Sequence, residues 1–161
     1  MKKRITNITS FSTGIYKEYD TIDSITFNGK DIGGGNFGTA YHCIAIDNNK
    51  PPVEQVIKIF KGDKRNIDRG YQTIKKVQQK IKDEALRLQQ KGEIFEEQYP
   101  GLLAFPQFSF TGVLDNGDQV TGYSANNLVS LGFDSLDDII NSKPKMAAYR
   151  KNVAMGSRLL I

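Results

Sequence analysis

Residues 32–41 read Ile-Gly-Gly-Gly-Asn-Phe-Gly-Thr-Ala-Tyr, and a lone lysine, Lys58, follows inside the apolar run Val56-Ile57-Lys58-Ile59. Glycines let a backbone come close to phosphate groups, and a lysine can pair with their charge. The spacing Gly33-x-Gly35-x-Phe37-Gly38 fits G-x-G-x-x-G, a pattern that carries little weight alone because many turns are glycine-rich. It gains weight here from Phe37 before the last glycine, Tyr41 in the return strand and Lys58 downstream.

The elements that must position these residues follow from periodicity and turn chemistry. Ile22 to Phe27 alternates partly and ends at Asn28-Gly29, a tight-turn dipeptide, and a short strand then reaches Gly33. Tyr41 to Ile46 is the return strand. Pro51-Pro52 bars an earlier start to the lysine strand, Gln55 to Lys61, on which Val56, Lys58 and Phe60 share one face. Ile74, Val77, Ile81, Ala85 and Leu88 predict a helix over 71–91, stopped by Gly92. Glu84 falls about 50° from the centre of that stripe, and an acid there needs a partner. Lys58 is the natural one; Glu93, Glu96 and Glu97 lie beyond the helix stop. Phe105–Val113 and Gln119–Val129 read as two strands. The acidic cluster Asp115–Asp118 between them lacks the spaced ligands of a calcium loop and reads as a hairpin turn. Residues 1–20 are polar and aperiodic, an extension expected to pack loosely.

With Ile32, Gly33, Gly35, Phe37, Gly38, Tyr41 and Lys58 in place, the chain resembles the N-terminal (small) lobe of a eukaryotic-type protein kinase. The family usually has Val two places after the last glycine and Ala two places before the lysine; Ala40 and Val56 exchange those sizes here. Glu84 and Leu88 resemble the family's helix glutamate and the apolar residue four places on. Residues 128–140 resemble the hinge of the casein-kinase-one or vaccinia-related-kinase type, with Leu128 as gatekeeper and Val129 to Leu131 as hinge. The resemblance implies an α+β fold: a twisted antiparallel sheet with one long packing helix, plus C-terminal helices. It implies three regions: an extension with a lead-in strand (1–30), a small lobe (31–131) and the start of a large lobe (132–161).

The resemblance implies ATP held by Ile32, Gly33, Gly34, Gly35, Asn36, Phe37 and Gly38 over the phosphates, Lys58 oriented by Glu84, and Ala40, Val56, Leu128, Val129 and Leu131 around the adenine. The sole histidine is His42, so no His-Arg-Asp loop exists, and Asp-Phe-Gly is absent. Base and metal ligands are therefore missing. The expectation is a truncated, kinase-like ATP-binding piece, inactive alone, that binds ATP weakly and meets magnesium only through a missing large lobe. The alternative is a non-catalytic interaction module binding a protein partner. Pro144 suits the first turn of a last helix, whose apolar side would seek that partner or self-associate.

Composition sets the outer bounds. The chain has 161 residues, 39% apolar and 25% charged, with a net charge of +4, which suits one core-forming domain. A single cysteine, Cys43, excludes an internal disulfide framework. No apolar run is long enough for a membrane helix, and the basic start has no apolar run behind it, unlike a secretory signal. A cytoplasmic location is expected, and no metal site. Residues 58–91 hold eleven Lys or Arg against four Asp or Glu. We read that excess as a solvated helix face rather than a nucleic-acid surface.

Overall fold

A computed structural model describes residues 1–14, 19–47, 54–92, 105–128, 142–144 and 147. The chain divides into two units, Met1–Asn126 and Asn127–Ile161. The first carries six strands and one helix: β1 (Lys2–Ser12), β2 (Ile25–Gly34), β3 (Gly38–Ile46), β4 (Gln55–Phe60), α1 (Lys64–Gln90), β5 (Phe108–Leu114) and β6 (Gln119–Asn126). In the second, Lys143, Pro144 and Ala147 are helical; the rest of the expected C-terminal helices lies outside the described residues.

The strands close into an antiparallel barrel in the order β1-β2-β3-β4-β6-β5. This corrects the expected open, twisted sheet of a kinase small lobe. The correction comes from β1, the segment read as a loose extension. Its first half pairs with β2 (Ile5 opposite Ile25) and its second with β5 (Ser12 opposite Phe108). Each edge that would have been open thus gains a partner, and closure removes the edges. A strand here is hard to see in sequence because its register shifts between Thr6 and Thr9, with Asn7 at φ 53°. The bulge puts Ile5 and Ile8, three residues apart, on the core side, so the period of two is broken.

Ile5, Ile25, Phe27, Ile57, Phe108 and Phe110 fill the interior, each at most 1% exposed. A six-stranded barrel is narrow, and large side chains need small ones opposite them. Gly112 and Gly122 are those positions. A Cβ on Gly112 would lie 2.5 Å from Cγ2 of Ile5, and one on Gly122 would lie 2.2 Å from the Lys58 carbonyl and 3.0 Å from the Phe110 ring. The end of the barrel where β4 starts is polar but satisfied. The Gln55 amide donates to Asn126 Oδ1, Ser124 Oγ donates to Gln55 Oε1, and Thr13 Oγ1 donates to Gln107 Oε1.

Asn28-Gly29 does not turn the chain, as the dipeptide had suggested, but continues β2. Gly29 donates its N–H to the Met1 carbonyl (2.7 Å), and a Cβ there would lie 2.8 Å from that oxygen. The Asp115–Asp118 turn forms the β5–β6 hairpin as read.

Helix α1 starts at Lys64, seven residues before the periodicity suggested, because Asp63 caps it by accepting the Asn66 N–H (2.8 Å). It ends near Gly92, whose φ of 74° suits glycine. Its buried residues are Gln78, Ile81, Ala85 and Leu88. With its side-chain amide in the orientation that its neighbours' donors and acceptors require, Gln78 donates to Ser109 Oγ (2.6 Å) and accepts from the N–H groups of Phe108 and Ser109, fastening the helix to β5. Phe11 on β1 lies under the ammonium groups of Lys75 and Lys82, 5.8 and 5.4 Å from its ring centre.

If β1 closes the barrel, deleting residues 1–12 should abolish cooperative thermal unfolding, and Ile5→Ala should cost about 2–5 kcal/mol in chemical denaturation. A truncated chain unfolding with unchanged midpoint and cooperativity would contradict this architecture.

Candidate functional site: a cationic pocket beside the glycine hairpin

Lys58 sits in β4 directly opposite Ala40 of β3 and Tyr123 of β6. Tyr123 lies opposite Ser109, and Ala40 opposite Gly33. Directly opposed residues share a face. Since Ile57 fills the core, this row of residues runs around the outer wall of the barrel, as does Phe60 two places on. The face-sharing of Val56, Lys58 and Phe60 read from alternation therefore holds, with the face turned away from the core.

Helix α1 passes over this wall. Gly70 faces the Phe60 ring, which a Cβ there would meet at an ordinary contact distance of 3.7 Å. Phe60 in turn packs on Tyr123, ring centres 5.7 Å apart. Between wall and helix lies an open pocket of about 360 Å³. The wall contributes Lys58, Phe60 and Tyr123. The helix contributes Asn66, Arg69, Gly70, Thr73 and Ile74, and the hairpin contributes Phe37.

The charge of the lining is one-sided. Among the described residues it holds two cations, Lys58 and Arg69, and no carboxylate. Among the described residues Glu84 pairs with Arg87 and Glu54 lies 3.7 Å from His42 Nδ1, and no described carboxylate pairs with either pocket cation. The Thr73 hydroxyl donates to the Arg69 carbonyl (2.9 Å). Burial pushes the Tyr123 phenol above its ordinary range, which keeps it a neutral donor. Cations beside aromatic faces suit an anion with a flat, apolar part.

The glycine hairpin borders this pocket through Phe37. The Gly35 N–H donates to the Gly38 carbonyl (2.9 Å), and the Lys61 N–H holds the Phe37 carbonyl (3.0 Å). Gly38 has a packing reason: a Cβ would lie 2.7 Å from the Ile59 carbonyl and 3.2 Å from Lys58 Cε. Gly33 and Gly35 have none. Neither has a positive φ, and a Cβ on either would meet nothing within 4 Å. Gly33 and Gly35 are both exposed. Phe37, at 76% exposure, and Ile32, at 47%, are open to solvent beside them. Gly34 and Asn36 are also exposed, while Ala40 and Val56 are half-buried on the wall outside the pocket lining.

The structure does not bring Glu84 to Lys58. Glu84 accepts from Arg87 Nε (3.0 Å) and from its Nη2, and that guanidinium holds its carboxyl below the usual range. It lies ten residues past Ile74, the last helical residue of the pocket, which is about 15 Å along the axis and beyond the reach of a lysine. Because α1 starts early, its first turns lie over Lys58, and Arg69 takes the place expected for the glutamate. Arg69 escaped the sequence reading because Gly70 beside it weakens the helical signal. Asp63, a capping residue, was the cue available. Leu128 occupies a turn in the second unit; Val129 and Leu131 lie outside the described residues.

Among the described residues no group of His, Cys, Asp or Glu could hold a metal ion, and no helix is long and apolar enough to cross a membrane. No protein-family profile matches the chain, nor does any curated protein or solved structure.

Cys43 is not a nucleophile at this site. It lies in the barrel core, and burial pushes its thiol from 9.0 up to about 12. The folded state therefore holds a proton that the unfolded state releases above about pH 9, so stability falls as pH rises from there toward 12. Cys43→Ala should lessen this alkaline loss. Alkylation by iodoacetamide at pH 8 should be at least about tenfold slower in the folded protein than in urea. Equal rates would contradict the burial.

Proposed function

We propose that this protein binds the polyphosphate of a nucleotide such as ATP in the pocket between β4 and α1, and that it transfers no phosphate by itself. The observation that carries this reading is the pair of cations, Lys58 and Arg69, with no carboxylate among the described residues of the lining and no described acid paired with either. An anion is what such a lining attracts, and the aromatic surfaces of Phe37, Phe60 and Tyr123 offer a base something to stack on. Gly33 and Gly35 support the reading, since neither backbone angle nor packing requires a glycine at either place. The resemblance of the Gly33–Lys58 segment to kinase glycine loops selects a nucleoside triphosphate over other anions. Because the pocket is open, affinity should be roughly millimolar. A nucleotide ligand and a single buried thiol fit a cytoplasmic setting.

A second reading is an interaction module that docks a protein through the hairpin tip. The exposure of Phe37 and Ile32 favours it. Titration of ATP into isotope-labelled protein separates the two. The nucleotide reading expects shifts at residues 33–38, 58 and 69–74, weakened about tenfold by Lys58→Ala and abolished in the double variant with Arg69→Ala. No shifts up to about 10 mM ATP, a concentration well above the expected dissociation constant, would overturn it, as would shifts confined to the Gln55–Asn126 end of the barrel.

A further inference from the structure

Resting on that reading, we infer that the pocket takes the polyphosphate as the free anion, and that Arg69 sets this preference by standing where a metal-binding acid would be needed. Magnesium usually keeps several waters and reaches a protein through one or two carboxylates together with substrate phosphates. The described lining residues offer it none. The two acids nearest in sequence are committed elsewhere. Asp63 caps the helix by accepting the Asn66 N–H. Asp68 is exposed, and at 100° per residue it lies about 170° from the centre of the face carrying Asn66, Arg69, Gly70, Thr73 and Ile74.

Charge then decides the ligand's form. Free ATP carries about four negative charges near neutral pH, and bound magnesium cancels two of them while bringing a dication toward Lys58 and Arg69. Attraction scales with the product of charges, so the complex forfeits roughly half of it and adds a repulsion. Magnesium and the protein therefore compete for one ligand. Inorganic tripolyphosphate, which has the charge without the base, should follow the same rule.

The test measures ATP and tripolyphosphate affinity in EDTA and in excess magnesium, with ionic strength matched by sodium chloride because exposed charges are screened by salt. Both ligands should bind at least about tenfold more weakly with magnesium. Arg69 is exposed on α1, so Arg69→Glu should fold normally by circular dichroism. It should lose more affinity for free ATP than for the magnesium complex, so that the tenfold ratio collapses. Magnesium-ATP binding as tightly as free ATP, or more tightly, with Lys58 still required, would overturn this inference and leave the nucleotide reading standing. Absence of binding under both conditions would overturn both.

Discussion

Closure of the strand ladder by β1 is the constraint on which the rest of the structure depends. With β1 shared between β2 and β5, no strand edge of the barrel is left without a neighbour. The interior must then be filled by side chains from all six strands in a narrow space. Ile5 against Gly112 and Phe110 against Gly122 are the fits that make this possible. Inward positions are thereby fixed, and with them the outward ones, because a one-residue slip would exchange the two faces of a strand. Lys58 faces the helix rather than the core because Ile57 is required inside.

The outer wall is where the structure departs from what folding alone would need. Most of α1 is held by ordinary means: Ile81, Ala85 and Leu88 are buried, Gln78 is hydrogen-bonded to β5, and the Lys75 and Lys82 ammonium groups lie over Phe11. Its first turns are different. They stand over Lys58 with Arg69 alongside and, among the described residues of the lining, no acid. Two like charges beside one pocket repel each other, and a pairing such as that of Glu84 with Arg87 would have relieved the repulsion. That an ion pair forms about four turns further on, where it contributes little, and not among the described residues here makes this pair of cations the most informative electrostatic feature of the described residues.

Much of this was legible in the residues. The alternation around Lys58, the β5–β6 hairpin turn and the end of α1 all follow from short-range patterns, and the structure has them. What was not legible has specific causes. The strand β1 hides behind a bulge at Asn7 that breaks its period. Asn28-Gly29 looks like a turn but is needed where β1 begins against β2. The start of α1 is masked by Gly70, and the resulting shift placed Glu84, rather than Arg69, beside Lys58. The glutamate chosen as the lysine's partner is instead held by Arg87. The fold class failed for a related reason: closure is a long-range property, and no local pattern in residues 1–12 announces it.

The central claim is that Lys58 and Arg69 share one anionic ligand. The most direct measurement is the NMR signal of the Arg69 Nε–H and of the Lys58 ammonium as inorganic tripolyphosphate is added without metal. The account predicts that both move together along one saturation curve, with the Arg87 Nε–H, already engaged by Glu84, unmoved. Movement of Arg87 and the other helix cations in equal measure, or of Lys58 without Arg69, would contradict it.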